Sequence, residues 1–221
     1  MKIDHDGYKL CTFFLLCSLV GCVGYHITHV LLFGWILGAC LFLTVFSLFF
    51  FRDPHRTAPE DTGAAVSAAD GVVVDVSTVE GEDFEGGLRL RIAVLMNVFN
   101  VHVNRCPVDG KVVQTKYRTG KKLSAFNRRA EYENEHADSD IETASGMVRI
   151  RQIAGIIARR VVTRVKDGDV LKKGDRIGLI RFGSRVDVFF PKDYMPVVSK
   201  GDHVRAGETI IARLGGDYNQ K

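Results

Sequence analysis

The sequence predicts an α+β protein that is mainly β, with a helical membrane hairpin at its N-terminus and a β-rich domain after it. Two observations carry this expectation. Residues 10–51 contain no Asp, Glu, Lys or Arg, whereas residues 52–221 hold 28 of the 30 basic and 24 of the 26 acidic side chains. Beyond residue 69, short Val- and Ile-rich runs alternate with Gly-containing turns, the pattern of consecutive strands.

As one helix, the 42 uncharged residues would extend about 63 Å, roughly twice the hydrocarbon core of a bilayer. Two passes fit better, Leu10 to Gly24 and Val30 to Phe51, with the turn at Tyr25–His29. The first is short and contains Gly21 and Gly24, which suits a tilted or partial span. Lys2 and Lys9 precede the hairpin, Arg52 and Arg56 follow it, and its turn carries no Lys or Arg. The positive-inside rule therefore puts both ends, and the following domain, on the cytoplasmic side of the cell membrane. Leu19-Val20-Gly21-Cys22 also has the form of a lipoprotein cleavage site, but about thirty apolar residues after Cys22 are superfluous to such a signal. At the exit, Phe51, Arg52, Asp53 and Arg56 suit the headgroup layer of a lipid interface. The expected division is a membrane anchor over 1–56 and a β-rich domain over 57–221, with Thr57–Ala69 as linker.

The net charge of +4 is mixed in sign and gives no reason to invoke nucleic acid. Four of five cysteines lie in the apolar stretch and Cys106 is alone, which is no disulfide framework and fits a reducing compartment. No phosphate loop, zinc pattern or metal-binding helix motif occurs.

Within the domain, Asp70-Gly71-Val72-Val73-Val74 reads as a turn feeding a strand, and Asp109-Gly110 repeats it. Gly168-Asp169 is followed six residues later by Gly174-Asp175, and Gly201-Asp202 by Gly207-Glu208. These paired turns are similar to those of the barrel-sandwich fold of biotinyl and lipoyl carriers, although the carriers' modifiable lysine motif is missing. Asn97–Arg105 alternates as a strand, with Phe99, Val101 and Val103 on one face and Asn100, His102 and Asn104 on a polar, accessible one. Seven basic residues from Lys111 to Arg129 and six acids from Glu131 to Glu142 read as a solvated excursion.

Phe182-Gly183-Ser184-Arg185 joins two strand-like runs, Arg176–Phe182 and Val186–Phe190. Glycine allows its carbonyl an unusual, exposed conformation. The neighbouring hydroxyl can attack that carbonyl when a base takes its proton. Asp70, His102 and Ser184 form an Asp/His/Ser set of the kind that such chemistry needs in space.

With Phe50-Phe51-Arg52-Asp53-Pro54, Ala69-Asp70-Gly71, Phe99-Asn100-Val101-His102-Val103-Asn104, Gln152-Ile153-Ala154-Gly155 and Arg181–Asp187, the chain resembles phosphatidylserine decarboxylases. The likeness is to their short prokaryotic, archaeal-type form. Ala68, where the family commonly has Pro, and His136, where it has Arg, depart from it. The resemblance implies a precursor that cleaves itself between Gly183 and Ser184, giving a β chain 1–183 and an α chain 184–221. Ser184 is the nucleophile and becomes a covalent pyruvoyl group whose carbonyl condenses with the substrate amine. His102 is the base in processing and the proton donor in turnover, and Asp70 orients it. No metal or separate cofactor is implied. The implied reaction converts phosphatidylserine in the membrane to phosphatidylethanolamine and CO2. Its partners are the lipid and the two chains of one precursor, with a homo-oligomer left open. An archaetidylserine-like lipid and a non-catalytic membrane-tethered adaptor are the alternatives.

Overall fold

In a computed structural model of the chain, the described residues are 2–80, 87, 89–121, 123–124, 129–155, 160–180 and 184–215. They fall into two compact units, Met1–His55 and Arg56–Lys221.

The first unit comprises β1 (Lys2–Ile3), α1 (His5–Thr28), α2 (Leu31–Phe50) and β2 (Arg52–Asp53), with β1 antiparallel to β2. Both helices are long and apolar enough to cross a bilayer. The first starts five residues before the expected span because Asp4 caps it, accepting a hydrogen bond from the Asp6 N–H at 3.0 Å. The turn is also tighter than expected. Tyr25 to Thr28 are helical, and His29 reverses the chain at φ 53° while its N–H donates to the Tyr25 carbonyl. Gly21 and Gly24 do not shorten the helix. A Cβ at Gly21 would lie 3.0 Å from the Leu37 backbone N, and one at Gly24 2.5 Å from the Phe33 ring. These glycines let α1 and α2 pack closely.

The second unit runs β3 (Ala64–Val66), β4 (Gly71–Val79), β5 (Arg89–Met96), β6 (Val103–Arg105), β7 (Gly110–Arg118), α3 (Ala130–Glu133), β8 (His136–Thr143) and β9 (Gly146–Ala154). It continues with β10 (Val161–Thr163), β11 (Val170–Leu171), β12 (Arg176–Ile180), β13 (Ser184–Pro191), β14 (Tyr194–Pro196), β15 (His203–Val204) and β16 (Ile210–Leu214). A curled eight-stranded sheet has the order β11-β7-β8-β9-β13-β5-β4-β15. Two three-stranded sheets, β10-β12-β6 and β14-β16-β3, accompany it. The protein is α+β and mostly β.

Strand β13 lies between β5 and β9, with Ser184 opposite Met96 on one side and Ala154 on the other. Its alternation sends Val186, Val188 and Phe190 into the core with Ile92, Val94 and Ile150. Arg185 and Asp187 take the other face, where buried ion pairs bridge the strands. Arg151 engages Asp138 at 2.7 and 2.8 Å, and Arg149 engages Asp140 at 2.6 and 2.8 Å. Arg91 holds Asp75 and also Glu131, which α3 contributes. The expected solvated excursion is thus corrected in its acidic half only. The basic residues Lys111, Lys116 and Arg118 lie on β7 and are exposed, as expected, whereas Glu131, Asp138 and Asp140 are buried against Arg91, Arg151 and Arg149. Lys122 and Arg128 lie outside the described residues.

The expected linker is also partly structured, since Ala64–Val66 pair with β16 and Ala64–Asp70 are all buried. Small side chains make that burial compatible with close strand packing. The Gly-Asp turns share one geometry. Gly168, Gly174 and Gly201 have φ near +90 to +102°, and each following Asp accepts from the N–H three residues before it. Positive φ explains glycine there, and the Asp carboxylate closes the turn.

Candidate active site

Ser184 begins the central strand with its side chain on the core face, and the residue is fully buried. Its hydroxyl donates to the Met96 Sδ at 3.2 Å across the β5 register. Asn104 Nδ2 donates to the same sulfur at 3.7 Å. The Asn104 Oδ1 accepts from Gln152 Nε2 at 2.8 Å, and Gln152 Oε1 accepts from the Thr163 hydroxyl at 3.1 Å. Gly183 lies outside the described residues, as do Arg181 and Phe182.

His102 is 2% exposed, not on the accessible polar face that simple alternation suggested, whereas Phe99 is 68% exposed. Only Val103–Arg105 is strand, because Asn97–Asn100 forms a turn closed by Asn side chains. That turn presents the Asn100 carbonyl to His102 Nδ1 at 2.9 Å. A carbonyl can only accept, so Nδ1 carries the proton and Nε2 is the basic nitrogen. His136 repeats the arrangement, with Nδ1 2.7 Å from the carbonyl of Asn134, again two residues earlier.

Asp70 is buried at the start of β4, where Gly71 passes beneath the Leu95 carbonyl with no room for a Cβ, which would lie 2.1 Å from that oxygen. The Asp70 carboxylate accepts from Arg56 Nη2 at 2.8 and 3.2 Å and from the Ala206 N–H at 2.8 Å. Arg56 also engages Glu208 at 3.0 Å. Among the described residues no hydrogen bond links Ser184, His102 and Asp70 directly. Of the residues expected at the membrane interface, Arg56 is therefore committed to ion pairs within the second unit. Phe51 and Asp53 are buried, and Arg52 lies over the Phe49 ring at 3.9 Å.

Arg185, next to Ser184, forms two 2.6 Å hydrogen bonds to Asp187 on the opposite face of the sheet. Complete burial pushes the Asp187 carboxyl up to about 6, while Arg185 opposes that rise. Burial also pushes the Cys106 thiol up to about 12. The described residues contain no cluster of His, Cys, Asp and Glu fit to hold a metal.

Sequence reasoning gave no role to Met96, Asn104, Gln152 or Thr163. The Asn-x-His-x-Asn spacing was the available signal for Asn104. Nothing local indicated that Gln152 and Thr163 would reach it from other strands.

A buried hydroxyl at a strand head, a buried imidazole of defined tautomer and a buried carboxylate–guanidinium pair, on a β-rich unit that follows two apolar helices, are side chains of the kinds that enzymes use. The phosphatidylserine decarboxylase family model matches residues 43–212. Phosphatidylserine decarboxylase proenzymes of three bacteria are among the similar proteins. That of Nitratidesulfovibrio vulgaris is 47% identical over 90% of this chain and 89% of its own. The Pelobacter propionicus protein is 47% identical and that of Geobacter metallireducens 49%, each over 78% of this chain and 79% of theirs. The chain belongs to the phosphatidylserine decarboxylase family.

Proposed function

We propose that this chain is the precursor of a pyruvoyl-dependent enzyme that converts phosphatidylserine to phosphatidylethanolamine and CO2 in phospholipid biosynthesis. The observation that carries the proposal is the fully buried Ser184 at the head of the central strand, at the junction where the family likeness implies cleavage. Among the described residues its hydroxyl is bonded to a thioether, a weak acceptor, which costs little to release for attack. Cleavage would yield chains 1–183 and 184–221, within a membrane anchor 1–56 and a barrel-sandwich-like catalytic domain 57–221.

Site and group are compatible. A pyruvoyl group is a small ketone without charge, and residue 184 lies buried between Met96 and Ala154 in the strand register, with the Asn104 amide on the same Met96 sulfur. When formed, the group supplies an electron sink for the pair released as CO2 departs. His102 Nε2 takes the Ser184 proton in processing and returns a proton to substrate carbon in turnover, while the Asn100 carbonyl maintains its tautomer. Asp70 supplies the negative charge that favours the imidazolium, and Arg56 and the Ala206 N–H fix its carboxylate. The two apolar helices tether the domain to the cell membrane, where the flanking basic residues favour a cytoplasmic domain. Phe51, Arg52 and Asp53 stand at the helix exit toward headgroup depth.

Intact mass tests the proposal. Wild type gives two chains, the smaller beginning at residue 184 with a pyruvoyl terminus, and Ser184→Ala remains one chain. A two-chain Ser184→Ala protein, or a single-chain wild type that decarboxylates phosphatidylserine, overturns it.

A further inference from the structure

Asn104 is fully buried, yet its amide nitrogen has a thioether as its acceptor and no oxygen among the described residues. A buried amide N–H left with so weak a partner forgoes most of a hydrogen bond, which makes it an exception in need of a cause. Its orientation is determined by its neighbours. Thr163 donates to Gln152 and Gln152 donates to Asn104 Oδ1, which leaves Nδ2 toward Met96. Reversing both amides would set an acceptor oxygen against an acceptor sulfur with no hydrogen between them. The same sulfur holds the Ser184 hydroxyl. Donor and reacting oxygen thus meet on one atom.

We propose that Asn104 Nδ2 is the hydrogen-bond donor that stabilises Ser184 Oγ as it departs during self-processing, with Gln152 and Thr163 as the residues that position it. The inference rests on the proposed cleavage at Ser184. In the ester formed by the acyl shift, Oγ is bonded to the carbonyl carbon of residue 183. A base takes the Cα hydrogen of residue 184, the electron pair forms the Cα–Cβ double bond, and the Cβ–Oγ bond breaks. Oγ leaves with its electrons as one oxygen of the new C-terminal carboxylate of residue 183. Water then hydrolyses the dehydroalanine and releases ammonia. Negative charge grows on Oγ in the bond-breaking step, and an N–H beside it is worth most there, in a site from which water is excluded. The thioether holds the hydroxyl beforehand but offers no proton to the departing carboxylate, so the amide is the group suited to that task.

The test follows processing of the full-length chain, synthesised into lipid vesicles, with and without hydroxylamine. Hydroxylamine cleaves the ester to a hydroxamate on the larger chain and an unmodified N-terminal serine on the smaller, which mass distinguishes from pyruvoyl. Asn104→Asp keeps the shape and the acceptor for Gln152 but loses the donor. It is expected to form pyruvoyl chain about 10²-fold more slowly while accumulating hydroxylamine-sensitive ester. Thr163→Val, which keeps the β-branched shape on a half-buried strand, releases the amide relay without touching Asn104 and carries the test if Asn104→Asp does not fold. It is expected to slow the same step several-fold with the same ester accumulating. Pyruvoyl formation at the wild-type rate, or a folded precursor that hydroxylamine cannot cleave, overturns the proposal. The second outcome puts the defect before the ester. Ser184→Ala, expected to resist hydroxylamine altogether, separates failure of this inference from failure of the cleavage assignment.

Discussion

Replacing Arg185 by Met should make stability depend on pH in a way that reports one carboxyl group. Asp187 is fully buried, and burial, the largest cause, pushes its carboxyl from 3.8 to about 6 even with Arg185 bonded to both oxygens. In the wild type the folded state therefore holds a proton between about pH 4 and 6 that the unfolded state has lost. The stability linked to this group is full below pH 3.8 and falls as pH rises to 6, by about 3 kcal/mol in all. Arg185→Met removes the main charge opposing burial, so the folded pKa rises further and the decline continues above pH 6. Each additional unit costs about 1.4 kcal/mol, equivalent to about 3–5 °C in unfolding temperature for a chain of this size. Thermal unfolding in detergent from pH 6 to 8 should show a gap to wild type that widens with pH. Adding Asp187→Asn should abolish the widening, because no proton equilibrium remains. A gap that is constant from pH 6 to 8, or one that widens equally in the double variant, would refute the reasoning.

Three further outcomes are expected. After cleavage the chain beginning at residue 184 should co-elute with the larger chain in native chromatography and separate only on denaturation, because β13 is held between β5 and β9 while β15 and β16 pair with β4 and β3; separation in mild detergent would contradict this. Gly71→Ala should lower stability by about 3 kcal/mol, since its Cβ would meet the Leu95 carbonyl at 2.1 Å and displace Asp70. An unchanged unfolding temperature would show that the β4–β5 approach yields easily. Cys106, its thiol pushed up to about 12 by burial, should escape iodoacetamide at pH 8 in the folded protein and react fully in denaturant; rapid native alkylation would show that the core opens there.

The sequence by itself determined what depends on local composition and short-range geometry. The uncharged run at 10–51 sets two apolar helices, because in that length no charged side chain demands water. The positive-φ glycines at 168, 174 and 201 follow from turns that other residues enter with strain. Ser184 and His102 were legible as chemical groups, and the family likeness supplied the roles proposed for them. Burial and partnership were decided by the tertiary structure. Alternation suggested an accessible His102, but a turn at Asn97–Asn100 ends the strand early and the imidazole goes inside. The acids Glu131, Asp138 and Asp140 looked solvated because composition cannot show which opposite charges will face one another across β8, β9, β13 and β5, whereas the basic residues of β7 are exposed as composition suggested. Ser184 bonds to Met96 on β5, 88 residues away in the chain, and the network behind that sulfur comes from β6, β9 and β10. A hydrogen-bond network of that span exists only once strand register is set, and register is a property of the whole sheet.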